Sequence, residues 1–297
     1  AQENGAVLAA LPENGVAVFP AQDAFTSLWQ DLAGTRPQVR FAHPKLAATP
    51  HALQAGQDIG FQGAEVSGQC HGLGAAWQVR ATYNPLRQAP QPLNFTLQVA
   101  GQHNVSNALA AAACALAAGV TPASVEAGLS AFKPVKGRSR ALALQWQGRE
   151  LTVVDDTYNA NPDSVRAAIE VLAALPAPRL LVLGDMGEVG DSGPAFHAEV
   201  GGYALSLGIE QLLALGQQTP ATVAAYPSGQ PAHEQPAHQA QHFEDIAPLL
   251  EAVRRLLPQV QSVLVKGSRF MRMERVVQAI EAWSEESLPP KELAHVA

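Results

Sequence analysis

The stretch LTVVDDTYNANP, residues 151–162, joins an apolar strand to a polar cluster, and its interpretation determines the fold expected for the second half of the chain. Its first four residues predict a buried strand. Two carboxylates, a hydroxyl and two carboxamides then follow at the carboxyl end of that strand, where open α/β sheets bind ligands. A turn into a helix capped by Asn161 or Asp163 explains part of this pattern. Turn chemistry requires neither Asp155 nor Tyr158, which favours a ligand site.

Strands and helices alternate beyond residue 139, which predicts an α/β, Rossmann-like domain with a mostly parallel sheet and right-handed crossovers. A hairpin from 142–147 to 151–154 opens this domain. The elements predicted after it are helix 163–175, strand 180–183, helix 193–207, strand 211–215, helix 244–256, strand 262–265 and helix 269–283. Residues 220–241 are rich in Pro, His and Gln and are interpreted as a solvated surface loop.

The first part of the chain has a different pattern. Short segments of alternating polarity between residues 58 and 99 predict antiparallel strands, and an alanine-rich helix is expected over residues 105–118. The length of 297 residues is more than one domain usually needs. We therefore expect two domains, a mixed α/β domain with antiparallel strands over residues 1–138 and the Rossmann-like domain over residues 139–297.

Composition restricts the classes of partner. A net charge of -7 with only 19 Lys and Arg disfavours a nonspecific nucleic-acid binder. The two cysteines are too few for a disulfide framework and lie in no metal-binding spacing. No apolar run approaches the ~20 residues that span a bilayer. We expect a cytoplasmic, monomeric protein with no membrane insertion and no nucleic-acid partner.

A candidate ligand site in the first domain begins at the amino end of the alanine-rich helix, in the segment GQHNVSN, residues 101–107. Helix amino termini present free N–H groups and a partial positive charge. Asn104 and Asn107 share one helix face, and carboxamides both donate to and accept from an adenine edge. The alternative is an ordinary helix start, with Asn104 as the N-cap and His103 as a turn residue.

Further candidates follow strand ends of the second domain. Arg138 lies where the two domains meet, and a guanidinium binds phosphate oxygens in a bidentate way, although linker arginines are commonly solvated. Lys266 and Ser268 follow a strand and are suited to an anion. The glycines of residues 184–190 have the spacing G-x-x-G-x-x-G, which differs from the dinucleotide fingerprint and argues against an oxidoreductase. His197, in the next helix, is either a structural residue, packed or capping, or a further site residue.

These clusters, in this order, resemble the Mur ligases of peptidoglycan synthesis, and within them the MurF branch, which adds D-alanyl-D-alanine to UDP-N-acetylmuramoyl-tripeptide. The resemblance covers nearly the whole chain. It is carried by the segments LPENG (11–15), HNVSNALAAA (103–112), DDTYNANP (155–162), LGDMGE (183–188) and VKGSR (265–269). The fold implied is the latter part of the family's central ATPase domain followed by its whole carboxyl-terminal domain.

The resemblance implies ATP-driven amide synthesis through an acyl phosphate, with ATP and Mg²⁺ as cofactors and the two peptidoglycan precursors as substrates. It assigns roles to nine residues of this sequence. These are Arg138 and Lys266 as catalytic residues; His103, Asn104, Asn107, Arg138, Asp156 and Tyr158 as ATP-binding residues; and Asn161, Lys266 and Ser268 as substrate-binding residues. It assigns no metal ligand.

The chain departs from the family at two places. The loop that cradles the triphosphate, a G-x-x-G-K-[ST] segment, is absent from the 297 residues, which contain no Gly-Lys pair. The position where many relatives carry a carbamate-forming lysine is Asn4. We therefore expect an incomplete portion of a ligase that is inactive by itself; the alternative is a non-catalytic nucleotide-binding or scaffold module derived from one.

Overall fold

A computed structural model describes residues 1–42, 45–46, 64–72, 76–227 and 238–287 of the chain. Two compact units are present, Ala1–Lys133 and Pro134–Ala297. The domain boundary at residues 138 and 139 lies a few residues after this division and stays a prediction. No helix in the described ranges combines the length and the apolar character needed to cross a membrane.

The first unit contains one mixed sheet. Its elements are α1 (Gln2–Ala9), β1 (Ala17–Pro20), α2 (Thr26–Ala33), β2 (Gln38–Phe41), β3 (Lys45–Leu46), β4 (Ala64–Gly72), β5 (Trp77–Asn84), β6 (Gln91–Leu97), α3 (Gln102–Ala117) and α4 (Pro122–Ala131). The strand order is β1-β2-β4-β5-β6, with β3 also paired to β4. Strands β1, β2 and β4 run parallel, while β4, β5 and β6 are antiparallel, which confirms the antiparallel strands expected there.

Alternate residues of β5 are buried, and this buried face of the sheet packs against α3. Trp77, Val79 and Ala81 are buried on one face of β5, and the two residues between them are exposed. They form a core with Val105 and Leu109 of α3. The alanines of α3 have little bulk, which allows the helix to pack closely against the sheet. The amino end of α3 is thereby held next to the end of β6.

The second unit is the Rossmann-like domain. Its elements are β7 (Arg140–Trp146), β8 (Arg149–Asp156), α5 (Pro162–Ala173), β9 (Arg179–Gly184), α6 (Gly193–Ser206), β10 (Gln211–Leu215), α7 (Pro220–Ala224), β11 (Gln239–Phe243), α8 (Ile246–Leu256), β12 (Ser262–Lys266) and α9 (Glu274–Glu286). The sheet order is β11-β10-β9-β12-β8-β7. All neighbouring pairs are parallel except the β7–β8 hairpin. The fold class inferred from the sequence is therefore confirmed.

Most predicted elements of this domain occur within a few residues of their expected bounds, and two regions differ. Residues 220–241 contain α7 and most of β11, so the prediction of a continuous loop was wrong for the described part of that stretch. Residues 228–237 lie outside the described residues. The helix expected from residue 269 begins with a short 3-10 turn at Arg269–Met271, and α9 starts at Glu274.

The carboxyl ends of β8, β9 and β12 lie side by side at one edge of the sheet. Strand β12 inserts between β8 and β9, although β8 and β9 are consecutive parallel strands of the chain. The chain crosses the sheet in one direction from β8 through β9 and β10 to β11, and then returns to β12, so the direction of the connections reverses. Ligands of open α/β sheets bind in the crevice at such a reversal.

Candidate functional site

A buried ion pair joins the ends of β8 and β12. The parallel register places Lys266 directly opposite Asp156. The Nζ atom of Lys266 donates to Oδ2 of Asp156 at 2.6 Å and to the carbonyl of Asn159 at 2.9 Å, and Lys266 is only 3% exposed. Oδ1 of Asp156 accepts from the backbone N–H of Ser139 at 2.9 Å. A charge this deeply buried needs such partners, because desolvation otherwise costs several kcal/mol.

Asp155 holds the segment before β7 against the end of β8. Its Oδ2 accepts from the N–H of Gly137 at 2.9 Å, and its Oδ1 accepts from the hydroxyl of Thr157 at 2.7 Å. Arg140 lies 3.4 Å from Oδ2. Gly137 has a φ of +81°, and a Cβ there would approach Oγ1 of Thr157 to 3.2 Å. The glycine before Arg138 is thus required by both conformation and space.

Arg138 stacks on the ring of Tyr158. The guanidinium carbon lies 3.9 Å from the ring centre, and a second guanidinium, that of Arg269, lies 5.9 Å from the same ring. Tyr158 is 46% exposed. Arg269 is paired with Glu274, whereas Arg138 makes no ion pair with any described residue. A guanidinium oriented by stacking, with its donors free of carboxylates, is prepared to bind an anion.

Ser268 links the three loops at this edge of the sheet. Its hydroxyl donates to the carbonyl of Ala160 at 3.1 Å and accepts from the N–H of Gly187 at 2.6 Å. Its own N–H donates to the carbonyl of Asp185 at 3.0 Å. The residue is 2% exposed. Ser268 therefore fixes the loops that follow β8, β9 and β12 relative to one another.

The carboxylate of Asp185 occupies the anion-binding turn that precedes α7. It accepts three backbone N–H groups, from Gln217 at 2.9 Å, Gln218 at 3.0 Å and Thr219 at 3.1 Å. Gly216 permits this approach, because a Cβ there would lie 2.4 Å from the carboxylate. An internal anion thus fills a concavity of the kind that binds phosphate in other folds.

His197 is a packed residue that fixes the loop after β9. Its Nδ1 lies 2.7 Å from the carbonyl of Gly193, which can only accept, and its Nε2 accepts from the N–H of Met186 at 3.0 Å. These partners define the tautomer with the proton on Nδ1. The side chain is fully buried. The structure supports the structural interpretation of His197, as a packed residue, over a role in a ligand site.

An open pocket of about 380 Å³ lies beside the loops that Ser268 links. Its lining comes from the loop after β8, the start of α5, the loop after β9 and α6. The lining residues are Asn159, Ala160, Asn161, Pro162, Asp163, Arg166, Gly187, Glu188, Val189 and Phe196. Asn161 caps α5 here, since its side chain accepts from the N–H of Ser164 at 2.8 Å. The structure thereby selects Asn161 over Asp163 as the cap.

The carboxamides of the first unit form a chain at the start of α3. Nδ2 of Asn107 donates to Oδ1 of Asn104 at 3.1 Å, and Nδ2 of Asn104 donates to the carbonyl of Ala100 at 2.7 Å. Nε2 of His103 lies 3.1 Å from the same Nδ2. Gly101, with a φ of +91°, is the N-cap, so the alternative of an Asn104 N-cap was wrong.

The second unit brings together six of the nine candidate residues, namely Arg138, Asp156, Tyr158, Asn161, Lys266 and Ser268. The other three, His103, Asn104 and Asn107, lie together in the first unit. Their roles toward a ligand stay predictions. The sequence reasoning did not identify Arg269 or Glu188 as site residues. The sequence does contain a signal for both residues, because Glu188 follows the end of β9 and Arg269 follows the end of β12.

The described residues hold no preformed cluster of metal ligands. They contain no group of three or more His, Cys, Asp or Glu side chains arranged for a metal. Both oxygens of Asp155 and of Asp156 are already bonded to Thr157, Gly137, Ser139 or Lys266. Mg²⁺ is usually bound through one or two carboxylates together with substrate phosphates and waters, so the Mg²⁺ expected from the resemblance stays a prediction.

Comparison with known proteins identifies the class that this fold and site define. Residues 137–269 match the family model described as "Mur ligase, glutamate ligase domain". The chain belongs to the Mur ligase family. It is 34% identical, over 95% of its length, to the UDP-N-acetylmuramoyl-tripeptide--D-alanyl-D-alanine ligase of Escherichia coli (strain K12), of which it covers 55%.

The chain is also similar to solved structures of MurF proteins. A crystal structure of MurF from Acinetobacter baumannii superposes with a TM-score of 0.72 and 28% identity, covering 96% of this chain and 55% of that one. MurF from Thermotoga maritima, solved in complex with ADP, has the same fold at 18% identity, with a TM-score of 0.69 over 95% of this chain and 56% of that one. The chain spans about half the length of the curated relatives it matches.

Proposed function

We propose that this chain forms part of an ATP-dependent amide ligase that joins D-alanyl-D-alanine to UDP-N-acetylmuramoyl-tripeptide in peptidoglycan precursor synthesis. The family membership supports this, and one structural observation carries it. The guanidinium of Arg138, which has no ion pair among the described residues, stacks on Tyr158 in the same unit as the buried Lys266–Asp156 pair. We place the ligase in the cytoplasm as a monomer.

The reaction transfers the γ-phosphate of ATP to the substrate carboxylate, and the amine of the dipeptide then displaces phosphate from the acyl phosphate. Negative charge develops on phosphoryl and acyl oxygens in both steps, so fixed positive groups are the main requirement. In this proposal the guanidinium of Arg138 binds phosphate oxygens of ATP. Lys266 has three N–H donors and uses two of them within the chain, which leaves one for a reacting oxygen.

The remaining candidates have binding roles in this proposal. The carboxamides of Asn104 and Asn107, with His103 beside them, bind the adenine side of ATP, and Asp156 and Tyr158 bind its ribose side. Asn161 and Ser268 lie toward the second substrate, and the contacts of Ser268 within the chain make it a positioning residue. Mg²⁺ enters only as the counter-ion of ATP, and no step is assigned to it.

Steady-state kinetics with the intact protein that contains this chain tests the ATP site. Substitution of Asp156 or Asn107 by Ala is expected to raise the KM for ATP about tenfold, because a lost polar contact costs ~1–3 kcal/mol. Glu150→Gln, an exposed change at the start of β8, is the control. An unchanged KM for ATP in both site variants would contradict the proposed nucleotide site.

A non-catalytic nucleotide-binding module is a second candidate. Binding of ATP without phosphate transfer by the intact protein would favour this candidate over the ligase.

A further inference from the structure

The pocket beside Ser268 has an apolar wall and a charged rim. Ala160, Pro162, Val189 and Phe196 supply the apolar part of the lining. The volume of about 380 Å³ suits a small molecule rather than a macromolecular segment. Short aliphatic side chains are therefore the groups that this wall accommodates.

The single cation of the pocket lining is neutralised by neighbouring carboxylates. Arg166 forms ion pairs with Asp163 on its own helix and with Glu199 on α6. The hydrogen bond to Glu199 is the main cause of a raised pKa of the Arg166 guanidinium. Because Arg166 is balanced in this way, the carboxylate of Glu188 leaves an excess of negative charge at the rim.

The backbone carbonyls of residues 159–161, in the loop after β8, are already used. The carbonyl of Asn159 accepts from Lys266, and the carbonyl of Ala160 accepts from Ser268. The carbonyl of Asn161 accepts from the hydroxyl of Ser164 and the N–H of Val165. The carboxylate of Glu188, by contrast, has no hydrogen-bond or ion-pair partner among the residues that the structure describes.

The backbone at Glu188 is constrained by its own conformation and by the contacts of the residue before it. Its φ is +59°, a conformation unusual for a residue with a side chain. The preceding N–H, of Gly187, is bound by the buried hydroxyl of Ser268. The ring of Phe270 packs so closely on Gly187 that a Cβ there would lie 2.9 Å from it. These contacts fix the backbone next to Glu188, whose side chain lines the pocket.

We propose that Glu188 binds the ammonium group of the amine substrate in this pocket, and this inference rests on the ligase function proposed above. The ligand class is a small primary amine with short aliphatic side chains, as in D-alanyl-D-alanine. The ammonium group supplies the donors that the Glu188 carboxylate lacks, and its charge offsets the excess negative charge of the rim. The methyl groups of the ligand contact the wall of Pro162, Val189 and Phe196.

Titration of the 297-residue chain with D-alanyl-D-alanine, followed by NMR shifts of the 185–190 amides, tests this inference. N-acetyl-D-alanyl-D-alanine, which has no ammonium group, is the matched ligand. The expected results are saturable binding of the free dipeptide, at least about tenfold weaker binding of the acetylated one, and about tenfold weaker binding of the free dipeptide to Glu188→Gln. The control variant Glu150→Gln is expected to bind like the parent.

Three results would overturn the inference: no binding of the free dipeptide, equal binding of the acetylated dipeptide, or unchanged affinity in Glu188→Gln. Kinetics with the intact protein separate this inference from the ligase proposal. Glu188→Gln should raise the KM for the dipeptide about tenfold and leave the KM for ATP unchanged. Ligation with an unchanged KM for the dipeptide would refute the role of Glu188 alone, and absence of ligation in the unsubstituted protein would refute the proposed function.

Discussion

The ammonium group of Lys266 lies 2.6 Å from Oδ2 of Asp156, on the neighbouring parallel strand, and both residues are the last of their strands. The exposed fraction of the side chain is 4% for Lys266 and 17% for Asp156. Strand register alone brings this pair together. The ends of β12 and β8 are therefore joined by the attraction between these two charges.

Breaking this pair from one side should destabilise the chain more than removing it entirely. Lys266→Met leaves a poorly solvated carboxylate and is expected to lower the free energy of unfolding by about 3 kcal/mol. Adding Asp156→Asn to Lys266→Met should recover part of that loss. Urea unfolding of the two single variants and the double variant measures the coupling, and strictly additive effects would contradict it.

Ser268→Ala should loosen the loops without changing the strands. It leaves the N–H of Gly187 and the carbonyl of Ala160 without their partner, at a cost of about 2 kcal/mol. Hydrogen exchange of the Gly187 amide should accelerate, while exchange within β9 and β12 stays slow. Ser206→Ala, which removes an exposed hydroxyl bonded to Tyr203, is the control. Equal exchange of the Gly187 amide in both variants would contradict the role of Ser268 in fixing these loops.

Gly216→Ala should destabilise the second unit through the carboxylate of Asp185. Gly208 provides a matched comparison, because it also has a positive φ but has nothing within 4 Å of an added Cβ. Both alanines bear the conformational cost, and only the one at Gly216 meets Asp185 at 2.4 Å. Thermal unfolding should therefore show a loss for Gly216→Ala that exceeds that for Gly208→Ala by at least about 1 kcal/mol. Equal losses would mean that Asp185 moves away without cost.

Tyr226 should make the chain sensitive to alkaline pH. Its hydroxyl donates to the carbonyl of Ile209, and burial, with a smaller effect of Glu210, raises its pKa strongly above the ordinary value of 10.0. The folded state keeps the proton that the unfolded state releases, so stability is complete below about pH 10 and falls as pH rises above it.

Tyr226→Phe tests this pH dependence. Unfolding midpoints measured between about pH 8 and pH 11 should fall more steeply in the parent chain than in Tyr226→Phe. Tyr158→Phe, at a ring that is 46% exposed, is the control and should retain the slope of the parent. A parent slope that persists in Tyr226→Phe would assign the alkaline transition to other groups.

The sequence predicted the second unit well because its buried strands are short apolar runs that alternate with helical patterns. Strand β10 occurs at the predicted residues 211–215. Strand β11, Gln239–Phe243, was missed because it pairs on one side only, at the sheet edge, and most of its residues are polar. Helix α7 has five residues, too few for a helical period to be recognised.

The candidate site was predicted in part. Position after strand ends identified Asp156, Lys266 and Ser268, because the carboxyl edge of a parallel sheet collects such residues. The ion pair between the first two depends on the insertion of β12 beside β8, which local pattern does not encode. The links that Ser268 makes to Ala160 and Gly187 likewise join segments far apart in the chain.

Ligation by the intact protein that contains this chain is the most direct measurement of the central claim. UDP-N-acetylmuramoyl-tripeptide, D-alanyl-D-alanine and Mg-ATP are incubated with it, and phosphate and the amide product are quantified together. The account predicts equal amounts of phosphate and amide product, dependence on both peptide substrates, and loss of both products in Arg138→Ala. ATP binding without amide formation, or full activity in Arg138→Ala, would contradict it.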